Sequence, residues 1–118
     1  MLRGKGEFDG NRLLSAKTVE LMTRNHLPGD LASMGQRTFA ETVFEGVGFG
    51  LGFAVMLNPA RAQVLSTPGE YSWGGAASTA FWVDPKEELT VIILTQLLPS
   101  DTYPLRREAR TLVYQSIR

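Results

Sequence analysis

Between Gly46 and Phe53 every second residue is glycine: Gly46, Gly48, Gly50 and Gly52 alternate with Val47, Phe49, Leu51 and Phe53. A two-residue period belongs to extended chain, so the pattern predicts a strand with one large apolar face and one bare face. Glycine weakens a strand, and a bare face is kept where another backbone or a side chain comes close. The expected strand starts at Gly46 and runs to about Leu57, where Asn58-Pro59 ends it. The same glycines do not form a dinucleotide loop. A Gly-x-Gly-x-x-Gly run from Gly46 or Gly48 needs glycine where Leu51 or Phe53 stands.

The remaining pattern is read from its punctuation. Residues 1–13 are rich in glycine and charge and predict a loop. Ser15 is placed to cap a helix from Ala16 to about Arg24, with Leu14 stapled on Val19, and Leu27-Pro28-Gly29 stops it. Residues 29–45 have no period. A short returning strand is expected over 62–66, then three strands over 70–74, 78–84 and 89–97. Asp84-Pro85-Lys86-Glu87-Glu88 makes the polar turn of an antiparallel hairpin. Leu89-Thr90-Val91-Ile92-Ile93-Leu94 is apolar on both faces and reads as a central strand covered on both sides. A closing helix is expected from Tyr103 to Ile117, capped by Asp101 or Thr102, with Pro104 in its first turn. Its stripe of Leu105, Ala109, Leu112, Val113 and Ile117 should lie on the sheet, with Arg106, Arg107 and Arg110 facing outward. The fold class is α/β (α+β): an antiparallel sheet of three to five strands with a C-terminal helix packed on it. Residues 1–45 form a helical and loop segment, and 46–118 a single unit of sheet and helix.

Composition narrows the function. Twelve basic side chains balance twelve acidic ones, so no net field recruits nucleic acid or anionic lipid. There is no cysteine, which removes thiolate metal sites and a cysteine nucleophile. His26 is the one histidine and no carboxylate pair sits at ligand spacing around it, so it reads as a surface or capping group, and no metal or cofactor is expected. No apolar run approaches membrane-spanning length, and the start Met1-Leu2-Arg3-Gly4-Lys5-Gly6 lacks a signal-peptide core. Cytoplasmic is the default location.

Trp73-Gly74-Gly75-Ala76 is the segment with chemical content. Adjacent glycines after an aromatic, at a strand's end, let a ligand approach the backbone and present free N–H groups to it. On residues alone, a bulge or turn beside a core tryptophan fits the same string.

The ordered series Gly48-Phe49-Gly50-Leu51-Gly52-Phe53, Trp73-Gly74-Gly75 and Phe81-Trp82-Val83-Asp84-Pro85, then an apolar strand and a closing helix, resembles the serine β-lactamase-like family. Asp9-Gly10-Asn11-Arg12-Leu13-Leu14-Ser15, Leu21-Met22 and Asn25-His26-Leu27-Pro28 are similar to that family as well. The group takes in class C β-lactamases, penicillin-binding proteins and carboxylesterases, and the chain looks most like the esterase branch. The resemblance implies a partial β-lactamase/transpeptidase-like fold, equivalent to about the C-terminal third of a complete member. It assigns Trp73, Gly74 and Gly75 to the third motif, where β-lactamases carry Lys-Thr-Gly, and makes the Ala76 N–H one of two oxyanion donors. Tryptophan in place of the cation implies small neutral esters or amides as substrates.

The family's nucleophile motif, Ser-x-x-Lys, is missing: none of the seven serines from Ser15 to Ser116 has lysine three residues on. Tyr-x-Asn is missing too, since Tyr71, Tyr103 and Tyr114 are followed two residues later by Trp73, Leu105 and Ser116. The implied role is a C-terminal portion of a serine hydrolase that is inactive alone, with no catalytic residue of its own. In the family, N-terminal strands pair beside the last strand; without them that strand becomes an open apolar edge. The implied partner is a second copy or a complementary N-terminal fragment. Two rivals are a non-catalytic assembly module that pairs through this edge, and an enzyme using Glu70 or Tyr71.

Overall fold

The bare faces of Gly48 and Gly50 are filled by the loop that follows the first helix. In the structure, a computed structural model describing residues 1–117, a Cβ on Gly48 would run into the Asn25 side chain, and one on Gly50 into the Met22 carbonyl. Asn25 Oδ1 accepts the Phe49 N–H at 3.0 Å, and the Phe49 carbonyl accepts the His26 N–H at 2.8 Å. The alternating stretch is not one strand, however. It divides into β5 (Val47–Phe49) and β6 (Ala54–Met56), paired antiparallel. The Gly50 N–H bonds to the Phe53 carbonyl at 2.8 Å, and Gly52 takes φ +96°, a left-handed value that suits glycine. Glycine thus serves close approach at positions 48 and 50 and reversal at 52.

Earlier elements are short. Residues 1–13 hold a small hairpin of β1 (Glu7–Phe8) and β2 (Asn11–Arg12) instead of plain loop, and the patternless 29–45 stretch holds β3 (Thr38–Phe39) and β4 (Thr42–Val43). Between them α1 spans Ala16–Met22, and Ser15 Oγ accepts the Thr18 N–H at 3.0 Å as its cap. The returning strand expected over 62–66 does not form: the short helix α2 (Pro59–Ala62) ends there, and residues 63–65 continue as turn and bend. Asn58 caps it through the Arg61 N–H at 3.1 Å, and Pro59 needs no donor in the first turn.

Beyond α2, β7 (Tyr71–Gly74), β8 (Ala80–Asp84) and β9 (Leu89–Ile93) complete a five-stranded antiparallel sheet in the order β5-β6-β7-β8-β9. The hairpin through residues 84–88 is present, with Asp84 Oδ1 accepting the Lys86 and Glu87 N–H groups at 3.1 and 3.2 Å. One core lies on each face. Phe44, Val47, Ala54, Met56 and Ala62 fill one, and Val55, Tyr71 and Val83 the other. The central placement expected of Leu89–Leu94 is corrected. Strand β9 is the sheet's edge, and Ile92 and Leu94 are 66% and 83% exposed.

The closing helix α3 (Leu105–Gln115) is shorter than expected and rotated about its axis. Arg106 is buried and Arg110 nearly so, whereas Leu112 is 69% exposed; Arg107 faces outward as expected, and Leu105, Ala109 and Val113 are partly buried. The rotation has a physical reason. Arg106, Arg110 and Tyr114 fall four residues apart on one helix face and find buried acids there. Neither Asp101 nor Thr102 caps the helix. Pro104 holds the cap position, and Glu41 Oε1 takes the Arg106 N–H at 3.1 Å from the β3–β4 turn.

Asp30 ties the loop after α1 to the start of β5. Its carboxyl is held below the ordinary carboxylate value, first by the Gly46 N–H at 2.9 Å and then by the Ser33 N–H at 2.9 Å. A depressed carboxyl stabilises the fold above its unfolded value and loses that contribution as the pH falls through its folded one. Asp30→Asn should therefore lower the urea midpoint at pH 6, and the gap from wild type should narrow below the ordinary value of 3.8. A gap that widens toward pH 3 would contradict this assignment.

Candidate active site

Strand β7 carries the predicted motif. Its first half is central, pairing with β6 at Ser72 and Tyr71, but β6 pairs no further than Ala54. Trp73 and Gly74 pair only with β8, at Phe81 and Ala80, so the motif lies on a locally free edge. Trp73 is 46% exposed, and its ring meets that of Phe49 edge-to-face at 5.3 Å. Tyr71 is buried in the core opposite α3, and burial pushes its phenol up.

Gly74 is packed tightly between its own hairpin and the helix beneath it. A Cβ there would stand 3.0 Å from the Thr79 carbonyl and 3.1 Å from Arg106 Nε. The turn beyond is closed by the Gly75 N–H to the Thr79 carbonyl at 3.0 Å and the Ser78 N–H to the Gly75 carbonyl at 3.2 Å. Ser78 Oγ donates to the Leu97 carbonyl at 2.8 Å, and Thr95 Oγ1 to the Ala77 carbonyl at 2.5 Å. The segment after β9 thus ties down the tip of the β7–β8 hairpin. Ala76 is exposed, and among the described residues its N–H has no acceptor. The structure therefore brings Trp73, Gly74, Gly75 and Ala76 together on one rigid hairpin end, with one backbone donor open to solvent.

The strongest electrostatic feature lies on the α3 side of the sheet, and sequence reasoning missed it. Arg110 forms an ion pair with fully buried Glu70 through both carboxylate oxygens, one of them at 2.7 Å from Nη2. Its guanidinium lies 4.5 Å over the Trp82 ring. The Tyr114 hydroxyl stands 2.7 Å from Asp84 Oδ2 and 3.0 Å from Glu70 Oε2. Burial, then the Glu70 charge, pushes that phenol far above its ordinary range. Arg106 pairs with Glu41 at 2.8 Å and also donates to the Gly75 and Thr79 carbonyls at 2.9 and 3.2 Å. The spacing of Arg106, Arg110 and Tyr114 is the sequence signal that could have marked this face.

No serine is poised for nucleophilic attack among the described residues. None exchanges a hydrogen bond with lysine or histidine. Ser66 donates to Glu70 at 2.6 Å, but that carboxylate is already engaged by Arg110 and Tyr114. It lies at the far end of β7 from Ala76, roughly 20 Å away at 3.3 Å per residue. Glu70 is buried and bound by Arg110, and Tyr71 is buried in the core against Phe53, so neither is placed beside the Trp73–Ala76 segment for chemistry. His26 is exposed, with Nε2 2.8 Å from the Leu21 carbonyl at the end of α1. Among the described residues no three His, Asp or Glu side chains gather into a metal site, and no helix is long and apolar enough to cross a membrane.

Comparison with known proteins places this arrangement. The beta-lactamase family model matches residues 8–115. Two Mycobacterium tuberculosis proteins, the uncharacterized protein MT1414 and protein Rv1367c, are each 36% identical over 103 residues. The match takes in 84% of this chain but 25% of theirs, so the chain spans about a quarter of their length. Among solved structures, EstCE1, a hydrolase with promiscuous acyltransferase activity, superposes with a TM-score of 0.74 at 25% identity, over 96% of this chain and 26% of its own. Simvastatin synthase (LovD) from Aspergillus terreus follows at 0.69 and 26% identity, over 93% of this chain and 30% of its own. The five-stranded antiparallel sheet with its closing helix shares its architecture with these two solved structures, and the chain belongs to the beta-lactamase family.

Proposed function

We propose that the chain acts as the C-terminal portion of an esterase-like serine hydrolase, supplying the Trp73-Gly74-Gly75 wall and the Ala76 N–H as one oxyanion donor. The observation that carries this reading is the open Ala76 N–H at the end of a pinned hairpin, beside the half-exposed Trp73. In the assembled site, a serine from a complementary N-terminal segment attacks the ester carbonyl. The carbonyl oxygen gains negative charge, which Ala76 stabilises together with the serine's own N–H. The C–O bond to the alcohol then breaks, and water releases the acid from the acyl-serine. Trp73 offers a ring where a cation would hold a substrate carboxylate, which favours small neutral esters or amides. Hydrolase and acyltransferase activities in EstCE1 fit an acyl-enzyme open to more than one acceptor.

The partner follows from the edge. Strand β9 leaves its outer hydrogen-bonding groups without a neighbouring strand, and Ile92, Leu94 and Leu98 are exposed on and after it. A complementary N-terminal segment that adds strands here would cover both. The test is co-expression with the N-terminal portion of a homologous full-length esterase. Hydrolysis of a p-nitrophenyl ester is expected from the mixture and absent from either part alone. A mixture that forms a stable complex without turnover would count against the hydrolase role.

The same edge supports a second reading, a non-catalytic assembly module that pairs with another copy. Light scattering of the chain alone at micromolar concentration tests it: a stable dimer is expected from self-pairing, and a monodisperse monomer would contradict it.

A further inference from the structure

Arg106 is engaged in a way that its ion pair does not require. Its Nη1 meets Glu41, but its Nη2 reaches the Gly75 carbonyl at 2.9 Å and the Thr79 carbonyl at 3.2 Å, the two residues that close the hairpin tip. The side chain is 10% exposed, and Nε has no hydrogen-bond partner among the described residues. A buried donor left unmade costs stability, so the guanidinium is not held where its own hydrogen bonding is best. It is held beneath Gly74, whose missing Cβ leaves the room.

The Gly75 carbonyl and the Ala76 N–H belong to one peptide group. That group is planar and trans, so its oxygen and its hydrogen point in opposite directions. A guanidinium that fixes the oxygen from the α3 side therefore aims the hydrogen away from α3. We propose that Arg106 is a positioning residue: gripping the Gly75 carbonyl at 2.9 Å, closer than the Ser78 N–H of the turn at 3.2 Å, it sets the direction of the Ala76 N–H and keeps it on the substrate side. The catalytic consequence rests on the reading of Ala76 as an oxyanion donor; the geometric one does not. Charge also passes through this link. A cation on the carbonyl polarises the peptide and strengthens its N–H as a donor. Glu41 keeps the guanidinium in register and caps α3 with the same carboxylate.

The experiment has two arms. In the first, N–H residual dipolar couplings are measured by NMR on the isotopically labelled chain. Arg106→Gln is expected to shift the Ala76 coupling while those of Phe81, Trp82 and Val83 on β8 stay put. Arg106→Lys, which keeps a cation able to reach one carbonyl, should restore most of the Ala76 value; Arg106→Met, which keeps the aliphatic stem and removes every donor, replaces the glutamine variant if that one does not fold. An Ala76 coupling unchanged in the glutamine or methionine variant, whichever folds, would overturn the proposal, whatever the chain's function. In the second arm, Arg106→Gln in the reconstituted hydrolase should lower kcat about tenfold with KM little changed, a fraction of the loss typical when an oxyanion donor is removed outright, and Arg106→Lys should recover most of it. Equal losses in kcat and folded population would assign Arg106 a purely structural role. If the unmodified mixture shows no turnover, the hydrolase reading fails and the coupling result still decides the positioning role.

Discussion

Glu70→Ala is expected to lower the free energy of unfolding by about 3–5 kcal/mol, the usual cost of breaking a buried ion pair from one side. The variant leaves the nearly buried Arg110 guanidinium without its counter-ion and removes an acceptor from both Tyr114 and Ser66. Against a typical stability of about 5–15 kcal/mol, a loss of that size moves the urea midpoint far, or leaves the chain unfolded. Glu70→Gln should fall between, because the amide oxygen still accepts one hydrogen bond. The contrasting variant is Glu20→Ala. Glu20 pairs with Lys17 and Arg24 on the exposed side of α1, and its loss should leave the midpoint unchanged. Equal midpoints for the Glu70 and Glu20 variants would mean the network on α3 does not hold the sheet.

Gly50→Ala is the second large effect expected, about 2–3 kcal/mol or more, because the added methyl meets backbone and not a side-chain end. The Met22 carbonyl that it would strike also accepts the Leu51 N–H at 2.9 Å, so it cannot retreat without breaking the loop's attachment to the sheet. Gly52→Ala separates crowding from conformation. Nothing lies within 4 Å of a Cβ there, and only the left-handed φ of +96° is strained, at roughly 1–2 kcal/mol. Denaturant unfolding of the two variants checks the order. A larger loss at Gly52 would show that the turn, and not the close approach of the Asn25 loop, is what the alternating glycines serve.

These two sites also show where sequence alone was enough and where it stopped. The glycine alternation announced a close approach, and Asn25 and the Met22 carbonyl supply it. It could not announce the reversal at Gly52, because a hairpin with glycine on both sides of its turn keeps the same two-residue period. The β8–β9 hairpin was legible because its turn, Asp84-Pro85-Lys86-Glu87-Glu88, is local and polar. The Ser15 cap was legible for the same reason.

The face of α3 was not legible. Leu105, Ala109, Leu112 and Val113 keep helical spacing, but so do Arg106, Arg110 and Tyr114, and only the position of the acids decides which set turns inward. Glu41 and Glu70 lie 65 and 40 residues from their arginines, a separation no local pattern carries. The same limit applies to the site. Trp73-Gly74-Gly75 stands out as a string, while Arg106, which grips it from below, reads as one more surface arginine. The edge position of β9 came from the family resemblance and not from its own residues, because Leu89–Leu94 is apolar on both faces and by itself reads as central.

The central claim is that this chain supplies one wall and one oxyanion donor of a serine hydrolase and takes its nucleophile from another segment. A fluorophosphonate probe, which labels an activated serine covalently, tests it most directly when applied to the chain alone and to the chain with a complementary N-terminal segment. The account predicts no label on the chain in either sample, and stoichiometric label on the added segment only when both are present. Stoichiometric labelling of any serine between Ser15 and Ser116 would contradict it.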